Sequence, residues 1–255
     1  MNIGFLISVY DEIDIVNQTV ATLNENNCSI ILIQSDPDDS SKLFEPSLVD
    51  IYKKLSDVAG SKKEYVNERE NFKIEGSSTP VKAITRNLKV GFSYSQDFHV
   101  DWWVVILGDV LISNLIGIKK IISKMMKQKK SVGITKAIGQ TFMDNDNNST
   151  RIQYINTTDF MPQFFLVNSA LIKNGLFSNF KITNRFATEQ CLGDEVNRYC
   201  MENNSTFDET VFVISDYAYP QYITGLKYNP DRVRLPKHVD GFVNFLRKIK
   251  TGKKK

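Results

Sequence analysis

The sequence predicts an α/β protein with one mixed, mainly parallel sheet flanked by helices. Residues 3–10, IGFLISVY, form an apolar and partly β-branched run that is typical of a buried parallel strand. An amphipathic helix follows, with its apolar face made by Ile13, Val16, Val20 and Leu23. CSIILIQSD at 28–36 is a second buried strand, so that strand, helix and strand with short links form a βαβ unit.

The remaining segments continue this alternation. Residues 43–78 are charged and read as partly helical, and Pro80 opens a helix that runs to about residue 98. Further segments are predicted in this order: a strand in WWVVILGDVLISN (102–114), a basic amphipathic helix (115–130), strands on either side of a polar hairpin (131–156), a strand leading into a short helix (162–177), a helix (188–204) and a late strand (210–217). The 255 residues suit one large domain or two small ones, and the absence of repeats and of a low-complexity linker favours one.

Composition excludes several classes of function. The 32 Lys and Arg against 29 Asp and Glu are too balanced to predict a nucleic-acid partner. Basic residues are dense only in RKIKTGKKK at 247–255, which is either a solvated tail or an anchor for an anionic membrane surface. Three cysteines at no metal-like spacing favour a reducing compartment. The N-terminal run lacks a basic leader, and no stretch reaches the ~18 apolar residues of a membrane span. We therefore expect a cytoplasmic protein, at most peripheral to a membrane.

Acidic residues follow three of the predicted strands. They are Asp11 and Glu12 after the first strand, Asp36 after the second and Asp109 after the middle one. A single aspartate at a strand end is commonly a turn residue. In open α/β sheets, however, ligands bind outside the carboxyl ends of the strands. Three acidic strand ends at one edge of the sheet therefore predict a ligand site there.

Four motifs in the same order resemble the inverting glycosyltransferases of the family-2 type. ISVYDEIDIVNQTVATL (7–23) is similar to the family's opening strand and P-x-Y/F-N-E turn, with Val9 in place of proline and Asp11 in place of asparagine. IILIQSDPDDSS (30–41) resembles the second strand and its acidic turn. AITRNLKVGFSYS (83–95) resembles the A-R-N-x-G helix start. WWVVILGDVLI falls where the family has its D-x-D motif; Asp109 matches the second aspartate, and Leu107 stands in place of the first.

The resemblance implies a GT-A fold, with residues 1–115 as the nucleotide-sugar half, 116–245 as the acceptor half of the same domain and 246–255 as a basic tail. It implies nucleotide contacts by Val9, Tyr10, Asp11, Asp36, Arg86, Asn87 and Gly108. Asp109 would hold Mn²⁺ or Mg²⁺ against the diphosphate, because hard divalent cations take oxygen ligands. His238 is the candidate second ligand. In the alternative, a metal-independent enzyme, the phosphates are covered by Arg232, Arg234 and Lys237.

An inverting transfer also needs a general base beside the acceptor hydroxyl. TEQCLGDEVNRY at 188–199 resembles the family's acidic helix start in position and offers Glu189, Asp194 and Glu195. Asp194 and Glu195 are adjacent in sequence and cannot face the same way on a helix. Asp194 is favoured because it follows Gly193, while a solvated acidic helix face is the alternative.

Together these features predict transfer of a sugar, with inversion, from a UDP- or GDP-sugar to a glycan or lipid-linked acceptor. Two alternatives stay open. A nucleotidyltransferase would normally carry a Gly-rich, basic loop after the first strand, which SVYDEID does not provide. A catalytically inactive nucleotide- or carbohydrate-binding relative is suggested by Leu107 at the position of the missing aspartate.

Overall fold

A computed structural model of the chain describes residues 1–10, 12–35, 43–58, 81–136, 141–143, 150–152, 158, 160–178, 180, 188–215 and 226–228. The strands are β1 (Ile3–Val9), β2 (Ser29–Gln34), β3 (Ile51–Lys54), β4 (Trp102–Leu107), β5 (Val110–Ile112), β6 (Val132–Lys136), β7 (Thr141–Met143), β8 (Thr150–Ile152), β9 (Phe160–Asn168), β10 (Val211–Ser215) and β11 (Leu226–Tyr228). The helices are α1 (Ile13–Glu25), α2 (Val81–Ser95), α3 (Ile116–Lys127), α4 (Ser169–Lys173), α5 (Thr188–Glu202) and α6 (Phe207–Thr210).

The main sheet has seven strands in the order β3-β2-β1-β4-β9-β6-β10. β9 runs antiparallel to both of its neighbours, and the remaining pairs are parallel. β1 lies between β2 and β4, so the chain first builds the sheet outwards to β3 and then returns to the other side of β1. This reversal makes a topological switch point between β1 and β4, where open α/β sheets bind ligands. The predicted mixed, mainly parallel sheet is confirmed.

Helices cover both faces of this sheet. On one face, α1 and α3 contribute to a core that includes Phe5, Ile7 and Ile106. On the other, α2, α4 and α5 pack over Leu6, Trp103 and Val105. Adjacent residues of a strand point to opposite faces, and a strand covered on both sides must be apolar throughout. This accounts for the continuous apolar runs in β1 and β4, all of whose residues are buried.

The stretch after β2 differs from its prediction. The described part of residues 43–78 is not partly α-helical: it is the edge strand β3, between two 3₁₀ turns at Pro46–Leu48 and Leu55–Asp57. Asp50 Oδ2 accepts a hydrogen bond of 2.6 Å from the Ile30 N–H in β2. Tertiary pairing of this kind outweighs the local helix preference of a short charged segment.

Two further properties concern the whole described chain. Cys28, Cys191 and Cys200 are free thiols. In the residues that the structure describes, no helix is both long enough and apolar enough to cross a membrane.

Candidate active site

The carboxyl ends of β1 and β4 form the centre of the candidate site. The two strands are in parallel register, with Ser8 opposite Leu107. The Gly108 N–H donates to the Ser8 carbonyl over 2.8 Å, which continues the pairing one residue beyond β4. Asp109 follows in a turn before β5 begins. The predicted strand-end position of Asp109 is therefore confirmed.

The Asp109 carboxyl has one oxygen shielded from solvent and a raised pKa. Its Oδ1 is sealed from solvent, and no group among the described residues hydrogen-bonds to this atom. Burial is the main cause that raises the pKa of the carboxyl from 3.8 to about 6, the charge of Glu12 raises it further, and the Asp109 backbone N–H acts in the opposite direction. A buried carboxylate oxygen without a donor is costly unless a cation pairs with it.

Glu12 is the second acid at this point, and it is absent from the sequence-predicted site residues. It precedes α1 as the N-cap residue, and its Oε2 accepts a hydrogen bond of 3.2 Å from the Tyr10 N–H. A Cβ atom added to Gly108 would lie 3.0 Å from this same Oε2. The carboxylate therefore folds back over the residue that precedes Asp109. The acidic strand end was visible in the sequence, but its pairing with Asp109 depends on the register of β1 with β4.

A buried polar cluster ties α2 to the ends of β1 and β2. Asn87 Nδ2 donates to Ser8 Oγ over 3.0 Å and to Ser35 Oγ over 2.9 Å. The Ser35 N–H donates to the Val9 carbonyl over 2.8 Å. Asn87 and Arg86 are 1% and 6% exposed, so both are packed beneath the edge rather than presented to solvent. The predicted nucleotide-binding residues Val9 and Asn87 thus form the floor of the site.

Tyr10 is held from below by Gln34, a further residue that was not predicted. Gln34 Nε2 donates to the Tyr10 carbonyl over 2.9 Å. Gln34 Oε1 in turn accepts from the Tyr52 hydroxyl over 2.9 Å and from the Phe44 N–H over 3.0 Å. The sequence signal for this support of the β1 turn is a polar residue, Gln34, at the end of an apolar run.

The acidic helix α5 begins beside the same region. Thr188 Oγ1 and Thr85 Oγ1 are 2.9 Å apart, so the first residue of α5 contacts α2 two residues before Asn87. Glu195 is 4% exposed, and Arg198 donates to both of its oxygens while the Phe177 N–H donates to Oε1. These bonds raise the pKa of the Arg198 guanidinium. Asp194 is half-buried on a different side of the helix.

Several predicted residues lie outside the described part of the chain. These are Asp11, Asp36 and His238, together with the alternative phosphate ligands Arg232, Arg234 and Lys237. The described strand β11 nevertheless ends next to the site, because Tyr228 pairs with Val110, the residue after Asp109. His238 follows ten positions later in the chain.

The residues of the switch point fit a divalent cation. Asp109 offers a buried oxygen with no donor among the described residues, and the Glu12 carboxylate lies against the backbone of Gly108. Hard cations such as Mg²⁺ and Mn²⁺ are commonly bound by one or two carboxylates, with waters and phosphate oxygens in the other positions. In the part of the chain that the structure describes, no three acidic, His or Cys side chains converge into a fuller metal-binding set.

Comparison with known proteins gives likenesses of architecture. No protein-family model matches the sequence, and no curated protein matches it. Mouse xyloside xylosyltransferase 1 in its apo form is 10% identical, with a TM-score of 0.42 over 91% of this chain and 100% of that chain. The 4-diphosphocytidyl-2C-methyl-D-erythritol synthase of Anaerococcus prevotii is 11% identical, with a TM-score of 0.41 over 96% and 98%.

A third similar structure is a mannosyltransferase of Pyrobaculum calidifontis in complex with GDP-Man and Mn²⁺. It is 9% identical, with a TM-score of 0.39 over 86% of this chain and 58% of that chain. These structures include two glycosyltransferases and a synthase of another kind. The reaction of this chain therefore has to be inferred from its own side chains.

Proposed function

We propose that this protein is a metal-dependent glycosyltransferase that takes a sugar from a UDP- or GDP-sugar and transfers it, with inversion, to a glycan or lipid-linked acceptor. The observation that carries the proposal is the Asp109 carboxylate at the switch point, with a sealed oxygen that has no donor among the described residues. A diphosphate leaving group needs its charge neutralised, and an acid-held divalent cation supplies that neutralisation when bound.

The residues around Asp109 would bind and orient the donor. The turn after Val9, with Tyr10 and Asp11, and the strand end at Asp36 are assigned to the nucleoside. Asn87 acts as a positioning residue, because it fixes the Ser8 and Ser35 side chains under that turn. His238 is assigned to the cation or the diphosphate, which is supported by the approach of β11 to Val110.

The acceptor side is assigned to α5. Asp194 would take the proton of the acceptor hydroxyl as its oxygen attacks the anomeric carbon. The bond between that carbon and the diphosphate oxygen breaks, and the nucleoside diphosphate leaves from the opposite face of the sugar. Glu195 is a weaker choice as the base, because Arg198 and Phe177 already engage its two oxygens.

The nucleotidyltransferase alternative is less well supported by the turn after β1. That turn joins β1 directly to α1 through residues 10–12, whose sequence Tyr-Asp-Glu contains no glycine and no basic residue. A triphosphate carries more negative charge than a diphosphate, so two acids in this sequence oppose it more strongly. A diphosphate bridged by a cation is more compatible with such a turn.

The test is calorimetry with UDP, GDP and their sugar conjugates, with Mn²⁺ and with EDTA, followed by product analysis. We expect Mn²⁺ to strengthen binding of one nucleoside diphosphate at least tenfold, and a nucleoside diphosphate to be released when acceptor is added. Release of pyrophosphate from a nucleoside triphosphate and a sugar phosphate would instead establish the nucleotidyltransferase. Failure to bind any of these nucleotides would contradict both enzymatic functions.

A further inference from the structure

The motif that resembles D-x-D has Leu107 in place of its first aspartate. The fold brings another acid, Glu12, near Asp109, which matches the second aspartate. Leu107 is an apolar residue at the end of β4, with 9% of its surface exposed. Glu12 comes from the other strand of the switch point. We propose that Glu12 and Asp109 form one cation site, in which Glu12 supplies the carboxylate that position 107 lacks. This inference rests on the proposed function, since the phosphates of the nucleotide would complete the ligand shell.

Two contacts among the described residues position the Glu12 carboxylate. Tyr10 N–H donates to Oε2 over 3.2 Å, which turns the side chain back towards the sheet. Oε2 then lies against Gly108, at 3.0 Å from where a Cβ would be, and Val9 Cγ2 occupies the same space at 2.6 Å. Any side chain at position 108 would displace the carboxylate or Val9. Glycine at this position lets Glu12 approach the backbone that leads into Asp109.

A third residue, Thr19, joins the two elements that follow these acids. Thr19, in the second turn of α1, donates to the Val110 carbonyl over 3.3 Å and accepts from the Ile112 N–H over 3.1 Å. The helix that starts after Glu12 is thereby fastened to β5, the strand that starts after Asp109. Both hydrogen bonds are buried. Preorganised ligands of this kind bind a cation without further ordering of the chain.

The surroundings of the Asp109 carboxylate support this site. Its Oδ1 has neither solvent nor a described hydrogen-bond donor, and the Glu12 carboxylate lies against the backbone of Gly108, the residue before Asp109. A divalent cation with hard oxygen ligands would satisfy the sealed oxygen.

The test measures Mn²⁺ directly, by the electron paramagnetic resonance signal of the free ion, with the full chain in the presence and absence of the nucleoside diphosphate that the wild type binds. Three variants are compared: Glu12→Gln, Asp109→Asn and Glu25→Gln. The last is a matched control, since Glu25 is exposed at the opposite end of α1. Glutamine at position 12 keeps an oxygen that accepts from Tyr10 N–H, so the unfolding temperature should change by only a few degrees.

We expect Glu12→Gln to weaken Mn²⁺ binding at least tenfold with or without nucleotide, and Glu25→Gln to change it less than twofold. In EDTA, where no Mn²⁺ is available, the effect on nucleotide binding should be the opposite. Glu12→Gln should bind the nucleotide as tightly as the wild type or more tightly, because one negative charge near the phosphates is gone. A purely structural role of Glu12 would not produce this opposite response. Glu12→Asp keeps the charge but shortens the side chain, and should give intermediate Mn²⁺ binding.

The outcomes separate this inference from the proposed function. If Glu12→Gln binds Mn²⁺ like the wild type while Asp109→Asn does not, the pairing of Glu12 is wrong and the glycosyltransferase proposal stands. If the wild type binds Mn²⁺ through Glu12 but no nucleotide, the cation site is supported and the glycosyltransferase proposal fails. Should Glu12→Gln prove unfolded, wild-type Mn²⁺ affinity in Glu12→Asp would overturn the inference.

Discussion

At the scale of single residues, Asp109 contributes to how the stability of the metal-free protein responds to pH. Its pKa of about 6 in the fold lies above the ordinary 3.8, so between these values the folded state binds more protons than the unfolded state. The contribution of Asp109 to the free energy of unfolding is therefore most favourable below pH 4 and is lost as the pH rises through 6. From the pKa difference, the loss is on the order of 3 kcal/mol.

We predict that Asp109→Asn removes the part of the decrease in the free energy of unfolding that Asp109 causes as the pH rises. In EDTA, urea unfolding of the variant at pH 5 and at pH 7.5 should show a smaller decrease in the free energy of unfolding than the wild type shows. Asp97→Asn is the control, because Asp97 is exposed and precedes β4, at the opposite end of this strand from Asp109. Equal pH dependence of the wild type and Asp109→Asn would contradict the buried, charged state of this carboxyl.

Asp109 and Glu12 also show what residue patterns reveal and what they do not. The position of Asp109 at a strand end is predictable, because the sequence shows a carboxylate directly after an apolar run. The role of Glu12 is not predictable in the same way. It depends on β1 and β4 being paired with Ser8 opposite Leu107, and on the absence of a Cβ at Gly108. The glycine is visible in the sequence, but the register that places it against Glu12 leaves no local signal.

At the scale of elements, α5 carries two neighbouring acids with different roles: Glu195 is structural, and Asp194 is the proposed base. Glu195 bridges the helix to the Phe177 backbone and to Arg198, and Arg198 also bonds Glu202. The Glu195 side chain is 5% exposed and the Arg198 side chain 30%, so this ion pair is only partly buried. Asp194 takes no part in these bonds. The first residue of α5 contacts α2, so Asp194 lies about 9 Å further along the helix axis.

We predict different consequences for isosteric changes along this helix. Glu195→Gln should lower the free energy of unfolding by about 1–3 kcal/mol, since its amide still accepts from Phe177 but no longer pairs with a cation. Its transfer rate per folded molecule should stay within threefold. Asp194→Asn should lose at least a hundredfold in transfer rate per folded molecule.

Glu189→Gln completes this set, as a second acid near the start of α5. If Glu189→Gln loses the transfer rate and Asp194→Asn keeps it, the base is Glu189 and the assignment to Asp194 is wrong. Urea unfolding and a steady-state transfer assay on the same preparations distinguish lost structure from lost chemistry.

The elements themselves were largely predictable, for a physical reason that β3 makes clear. β1, β4 and α1 carry apolar periodicities that decide their type locally. β3 is an edge strand whose residues are all partly exposed, so its sequence has no such pattern. Its conformation is set by pairing with β2 and by the Asp50 contact to Ile30, both of which are tertiary.

At the scale of the whole molecule, β11 pairs with β5 next to the site. Two truncations test the role of the residues after β11. Ending the chain after residue 245 removes the basic tail, and should weaken binding to vesicles that contain anionic lipid while leaving nucleotide affinity within twofold. Ending it after Tyr228 keeps β11 but removes His238 and the three basic residues before it. This should lower nucleotide affinity with Mn²⁺ at least tenfold.

His238→Ala in the full chain tests whether His238 accounts for the lower nucleotide affinity of the chain that ends after Tyr228. If the long truncation weakens binding and His238→Ala does not, the contribution comes from Arg232, Arg234 or Lys237 rather than from His238. Unchanged nucleotide affinity in the long truncation would contradict any role for the segment after β11. Sedimentation with neutral vesicles is the control for the membrane measurement.

The parallel pairing of β1 with β4 also bears on how the protein folds. Parallel strands this distant in sequence close a long loop, which is slow to form and raises the contact order of the chain. Neither Glu12 nor Asp109 meets the other until that closure has occurred. Mn²⁺ added during refolding should therefore leave the folding rate unchanged and slow only the unfolding rate. The cation would stabilise the sheet only after β1 and β4 have paired. The appearance of free Mn²⁺ during unfolding would therefore report the first separation of β1 from β4.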